Sequence, residues 1–227
     1  MIKDFLAMIF PRVCNACGNA LFKGEEVICT FCMYHLPKTG YYFRSDNPVA
    51  RSFWGKVPLQ AASAYYYFNK GNRVQQLIHR LKYKGGTDVG IRIGQLYGSE
   101  LVNSPLYKNI QAVVPVPLHK SRAMKRGYNQ SDFIARGIAE TLGIHAETDL
   151  LLRVHKTETQ TRKKRFHRFE NMSSVFEVNP RNTSSARNFL LVDDVITTGS
   201  TLASCAEELL KIPGASVSIG ALAYAYH

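Results

Sequence analysis

Two adjacent carboxylates, Asp193 and Asp194, end the apolar run NFLLV and lead into ITTGST, where Thr197, Thr198, Ser200 and Thr201 surround Gly199. A strand that ends here must turn and start a helix. The free backbone N–H groups and positive dipole end of a helix start attract an anion. The four hydroxyls add donors and Gly199 lets the backbone come close, so the segment reads as a phosphate cradle. Two acids beside it would repel a phosphate unless they serve another group. Vicinal hydroxyls of a ribose fit that demand, with Mg²⁺ balancing the charge. Ordinary capping explains one hydroxyl and an acid near a helix start, but not a pair of acids closing an apolar strand.

A second cluster lies near the N-terminus, where Cys14-x2-Cys17 and Cys29-x2-Cys32 are separated by eleven residues. Each pair offers two thiolates from one tight turn, and two such turns complete a tetrahedral zinc site with no open position. A closed site is structural rather than catalytic. Four core cysteines or a redox pair are the competing readings, and His35 is a substitute ligand or a surface histidine. Cys205, inside a helical pattern, reads as a small buried hydrophobe.

Positive charge is the third feature. Lys and Arg number 29 against 17 Asp and Glu, a formal net charge of +12, which points to a polyanionic partner. Between Arg153 and Arg168 seven basic residues face Glu158 alone. Within that stretch TRKKRFHRF interleaves cations with Phe166 and Phe169, a mix suited to backbone contact and base stacking on single-stranded nucleic acid, or to binding pyrophosphate. Lys125-Arg126-Gly127-Tyr128-Asn129 reads as a phosphate contact, with a solvated loop as the alternative. Lys82 and Lys84, before the flexible turn at Gly85-Gly86, could serve the same anion site.

The elements that must position these groups alternate between strand and helix. LQAASAYYYFN is a strand whose aromatics read as core, and GNRVQQLIHRLKY follows as a helix. TDVGIRIGQLYGSELVN is a second helix, in which Gly90, Gly94 and Gly98 permit close approach of a neighbour. IQAVVPVP is a buried parallel strand. QSDFIARGIAETLG is a helix stopped at Gly143, and NFLLVDD, STLASCAEELLK and SVSIGALAYA complete the series. Such alternation predicts an α/β fold with a parallel sheet covered on both faces, with ligands at the carboxyl ends of its strands. Residues 1–40 form a cysteine-bearing module and 41–227 the α/β domain. RSDNPVARSFWGKVP crosses between them. No apolar run reaches the eighteen residues of a membrane span. The opening MIKDFLAMIFP reads as a short amphipathic helix rather than a secretory signal, so the expected location is cytoplasmic.

LLVDDVITTGST resembles the 5-phosphoribosyl-1-pyrophosphate (PRPP) motif of type I phosphoribosyltransferases. CNACG…CTFC, LKYKG, VPVPLHKSRAMKRGYNQS and TETQTRKKRFHRFENMSSVF, in that order, resemble the ComF family, associated with competence and DNA uptake. The resemblance covers nearly the whole chain and implies a phosphoribosyltransferase-like fold with an N-terminal zinc ribbon held by Cys14, Cys17, Cys29 and Cys32. It also implies that Asp193 and Asp194 contact the ribose hydroxyls, directly or through Mg²⁺, and that Thr197, Thr198, Gly199, Ser200 and Thr201 hold the 5-phosphate. Lys120, Arg122, Lys125, Arg126 and Tyr128 occupy the place of the pyrophosphate loop. Residues 155–170 occupy that of the loop that closes over the site in transferases.

Three functions follow as expectations. The first is a competence or DNA-uptake accessory protein that binds PRPP with Mg²⁺ and single-stranded DNA, alongside other competence proteins. The second is an active phosphoribosyltransferase with an unidentified acceptor. The third uses PRPP as a regulatory signal without turnover. No Ser/His/Asp or Cys/His nucleophile arrangement is present in the sequence, in keeping with a transfer that stabilises leaving-group charge without a covalent intermediate.

Overall fold

A computed structural model describes residues 11–69, 71–83, 85–154 and 175–225. The helix expected at the N-terminus, Lys84 and the basic segment 155–170 fall outside the described residues.

Five strands form one parallel sheet in the order β1-β7-β6-β2-β3. They are β1 (Ala62–Phe68), β2 (Ala112–Pro115), β3 (His145–Ala146), β6 (Asn188–Ile196) and β7 (Ser216–Ala225). Alternation along the strands divides the core in two. Val113, Leu190, Val192 and Leu222 pack into one hydrophobic cluster, and Ala112, Val114, Phe189, Leu191, Val217 and Ile219 into the other. Both faces are covered, which is why β2, β6 and β7 read as near-continuous apolar runs.

The first face is covered by helices α3 (Arg73–Tyr83), α4 (Thr87–Val102) and α6 (Gln130–Leu142), whose buried residues join the first cluster. The glycine series in α4 has the predicted use. A Cβ on Gly94 would lie 2.5 Å from the carbonyl oxygen of Ile134 in α6, and one on Gly137 only 2.2 Å from that of Ile91 in α4. The two backbones pass too closely for any side chain between them.

The second face is covered by α7 (Ser200–Leu209), by residues Tyr41 to Val57, and by an antiparallel pair, β4 (Leu151–Arg153) and β5 (Phe176–Val178). The cysteine module carries a short helix, α1 (Thr30–His35), and the crossing segment contains a one-turn helix, α2 (Pro48–Arg51). Buried Asn47 caps α2 through the N–H groups of Val49 and Ala50, and donates from Nδ2 to the carbonyl of Ala62 at 2.9 Å. That single side chain pins the crossing segment to the start of β1.

Two features depart from the expected elements. HKSRAMKR, read as loop, forms helix α5 (Lys120–Arg126), capped by Gly127 at φ +80°. The region between α6 and β6, for which the sequence shows no strand, contains β3, β4 and β5, which are too short for a period-2 pattern to show.

Candidate functional site

Neighbouring strands β2 and β6 send their chains to opposite faces of the sheet. β2 continues through α5 and α6 to β3, and β6 continues through α7 to β7. The crevice between their carboxyl ends is therefore a topological switch point, where open α/β sheets bind ligands. Pro115 pairs with Val192, so Asp193 and Asp194 stand just beyond the end of β2.

Asp193 is half-buried, and its Oδ1 accepts hydrogen bonds from Ser131 Oγ at 3.0 Å and from the Asp194 N–H at 2.8 Å. Burial, and then the neighbouring charge of Asp194, raise its pKa from the ordinary carboxylate range to about 7. Asp194 is buried, at 6% exposure. Lys82 Nζ stands 3.0 Å from its Oδ2, yet no hydrogen-bond donor among the described residues is aimed at that oxygen. The contact balances charge without satisfying the lone pairs, which suits a carboxylate held for another cation or for hydroxyls.

Beyond the acids the chain enters the hydroxyl loop. Gly199 takes φ +75° as the residue before α7, and a Cβ there would lie 2.8 Å from the Phe53 ring. Only glycine meets both conditions. Thr197, Thr198, Ser200 and Thr201 are exposed around the start of α7, with Thr198 Oγ1 3.1 Å from Ser200 Oγ. Asp193 and residues 195–202 line a small concavity of about 50 Å³. The loop thus presents hydroxyls and a helix N-terminus beside the carboxylates.

A larger cleft of about 610 Å³ is lined by Lys82, Tyr83, Gly85, Arg122, Lys125 and Arg126. Four of those six residues are cations. Arg126 is partly committed, donating to Gln130 Oε1 at 2.6 Å and lying 5.3 Å from the centre of the Tyr83 ring. Tyr128, read from the sequence as an anion contact, donates instead from its hydroxyl to the Leu81 carbonyl at 2.6 Å. Asn129 caps α6, accepting from the Ser131 N–H and donating to the carbonyl of Val116. RGYNQS is therefore a bracket: Tyr128 fixes the end of α3 that carries Lys82, Arg126 and Gln130 tie α5 to α6, and Ser131 holds Asp193. Sequence reasoning missed the roles of Ser131 and Gln130, although both belong to a motif it had singled out.

The four cysteines converge. One ligand atom from each of Cys14, Cys17, Cys29 and Cys32 lies within 4.8 Å of all the others. A tetrahedron with Zn–S distances of about 2.3 Å has S–S edges of about 3.8 Å, the separation found between Cys17 and Cys29, 3.8 Å. The N–H groups of Ala16 and Cys29 point at Cys14 Sγ, and that of Cys32 at Cys29 Sγ, at 3.3–3.4 Å. Burial raises the Cys14 thiol, but the N–H groups of Cys29, Cys17 and Ala16 outweigh it and bring it down to about 7. Such a donor set fits a metal that takes thiolates, and the cluster could hold a zinc ion. His35 is outside it, stacked on Phe31, with Nδ1 2.8 Å from the Phe31 carbonyl.

The doubly covered parallel sheet, with an acid pair and a hydroxyl-rich helix start at its switch point, defines the type I phosphoribosyltransferase-like class, here joined to a four-cysteine ribbon. No family model matches the sequence. The chain is 30% identical over 220 residues to DNA utilization protein YhgH of Salmonella typhimurium, covering 96% of this chain and 92% of the relative. It is 29% identical over 217 residues to competence protein ComFC of Bacillus subtilis, covering 94% and 85%. It is 35% identical over 116 residues to competence protein F of Haemophilus influenzae, 51% of each chain. The chain belongs to the ComF family. Among the described residues no helix is long and apolar enough to cross a membrane.

Proposed function

We propose that the protein is a competence or DNA-utilisation accessory that binds PRPP with Mg²⁺ at the switch point and single-stranded DNA through its basic surface. In this reading residues 1–40 are a zinc-ribbon module and 41–227 the ligand-binding domain. The observation that carries it is the acid pair beside the hydroxyl loop: Asp193 lines the concavity with residues 195–202, and the adjacent, buried Asp194 is charge-balanced by Lys82. Asp193 and Asp194 would take the ribose hydroxyls or Mg²⁺. The loop 197–201 would take the 5-phosphate. Lys125 and Arg126, with Lys84 as the sequence reads it, would take the pyrophosphate. When bound, Mg²⁺ would supply charge to balance the acid pair against the ligand's phosphates.

The DNA role is supported by the names of the relatives and by the net charge of +12. Two measurements test the reading. Isothermal titration with PRPP and Mg²⁺ should show binding that the double variant Asp193→Asn, Asp194→Asn loses; unchanged affinity would remove the acid pair from the site. Binding of a single-stranded oligonucleotide should weaken by about 100-fold from 50 to 200 mM salt if about five phosphates are neutralised. A salt-insensitive interaction, or none at low salt, would remove the DNA partner.

A second reading, an active phosphoribosyltransferase, rests on the same intact acid pair and loop. Release of pyrophosphate from PRPP in the presence of a base or amine would favour it.

A further inference from the structure

The geometry points to Lys82 as the residue that makes the site select a ribose 5-phosphate bearing a pyrophosphate at C1. The inference rests on the phosphoribosyl reading above and assigns a residue that the PRPP motif does not contain. Lys82 belongs to two places at once: its Nζ is 3.0 Å from Asp194 Oδ2, and the residue lines the four-cation cleft with Arg122, Lys125 and Arg126. The acid pair and the cleft are therefore contiguous through one ammonium. Its side chain is 24% exposed while that of Asp194 is 8% exposed, so the lysine side chain spans from the buried acid toward the open cleft.

The backbone beneath Lys82 is fixed. Tyr128 OH donates to the Leu81 carbonyl at 2.6 Å, and Gly86 passes so close that a Cβ there would lie 2.9 Å from the Arg80 carbonyl oxygen. Gly86 thus serves a close approach and Gly85 a left-handed turn at φ +64°, and the long lysine side chain is what can swing. The Lys82–Asp194 contact is an ion pair without an aligned hydrogen bond, so the ammonium keeps its donors for a phosphate oxygen. Mg²⁺ at the acid pair would replace the charge that Lys82 supplies to Asp194. The released ammonium would then join Arg122 and Lys125 on a pyrophosphate. A ligand without that pyrophosphate offers Lys82 no second partner. Selectivity for the pyrophosphorylated sugar over ribose 5-phosphate follows.

Lys82→Met keeps the apolar stem and removes the charge, and Lys82→Arg retains it. Wild type and both variants would be titrated calorimetrically with PRPP, with ribose 5-phosphate and with inorganic pyrophosphate, each with Mg²⁺. Lys82→Met should lose PRPP and pyrophosphate affinity by about tenfold or more and keep ribose 5-phosphate affinity within about twofold. Lys82→Arg should recover most of the loss. Equal losses for PRPP and ribose 5-phosphate would show that Lys82 only balances Asp194, and overturn the inference. So would no loss for either. If wild type binds neither sugar phosphate, the phosphoribosyl reading fails. The pyrophosphate titration then decides alone: equal affinity in wild type and Lys82→Met rejects the anion role of Lys82, and a loss confined to the Met variant upholds it.

Discussion

Ser131 Oγ donates to Asp193 Oδ1 at 3.0 Å across 62 residues of sequence. The fully buried serine lies in the first turn of α6, so the helix that packs hardest on α4 also sets the orientation of a site carboxylate. With the Asp194 N–H on the same oxygen, Oδ1 is held by two donors.

Ser131→Ala should therefore lower affinity for PRPP with Mg²⁺ by about 5- to 10-fold, the worth of one net hydrogen bond of about 1 kcal/mol. Stability should fall by only about 1 kcal/mol. Titration calorimetry and thermal unfolding measured together separate the two effects. Loss of stability with unchanged affinity would make Ser131 a packing residue.

The raised pKa of Asp193 fixes a direction with pH. Burial and Asp194 hold the folded-state value at about 7, above the usual 3.8. Between those values the folded protein binds more protons than the unfolded chain, so this group's contribution makes stability fall as pH rises through the interval. Asp193→Asn removes the penalty. The variant should melt on the order of a few degrees higher than wild type at pH 8, with the difference vanishing near pH 4. A constant difference across that range would contradict the assignment.

Gly94→Ala places a methyl carbon 2.5 Å from the Ile134 carbonyl oxygen, a backbone atom that cannot rotate away. Alanine favours a helix by about 1 kcal/mol over glycine, but the forced separation of α4 and α6 should outweigh that gain. A net destabilisation of about 1–3 kcal/mol is expected from denaturant unfolding. Because α6 carries Ser131, ligand affinity should fall as well. A variant as stable as wild type would show that the two helices can part without cost.

The cysteine cluster predicts one zinc per chain by elemental analysis. Cys14→Ser should abolish stoichiometric zinc, because Cys14 Sγ receives two of the backbone N–H groups directed at the cluster. Cys14, Cys29, Cys32 and Leu36 pack in the same hydrophobic cluster as Leu77 and Tyr97. Metal removal by a chelator should therefore lower the melting temperature of the whole chain, since metal binding energy is folding energy in such sites. Retention of zinc by Cys14→Ser would point to a different ligand set.

Chemistry written locally is legible in the order of residues. The paired cysteine spacings, the acids closing an apolar strand before a hydroxyl loop, the strand–helix alternation and the glycine series each fit within one or two elements. Period and turn chemistry act there without knowledge of the fold. Relationships between distant segments arise only once the chain is folded. Lys82 meets Asp194 because α3 and β6 approach at the switch point. Tyr128 spends its hydroxyl on Leu81 because RGYNQS crosses the end of α3. The four-cation cleft exists because α5 is a helix beside α3. Neither hydrophobic periodicity nor propensity encodes which of several lysines reaches a given carboxylate. That choice is made when strand order and helix packing bring two chain segments within 3 Å.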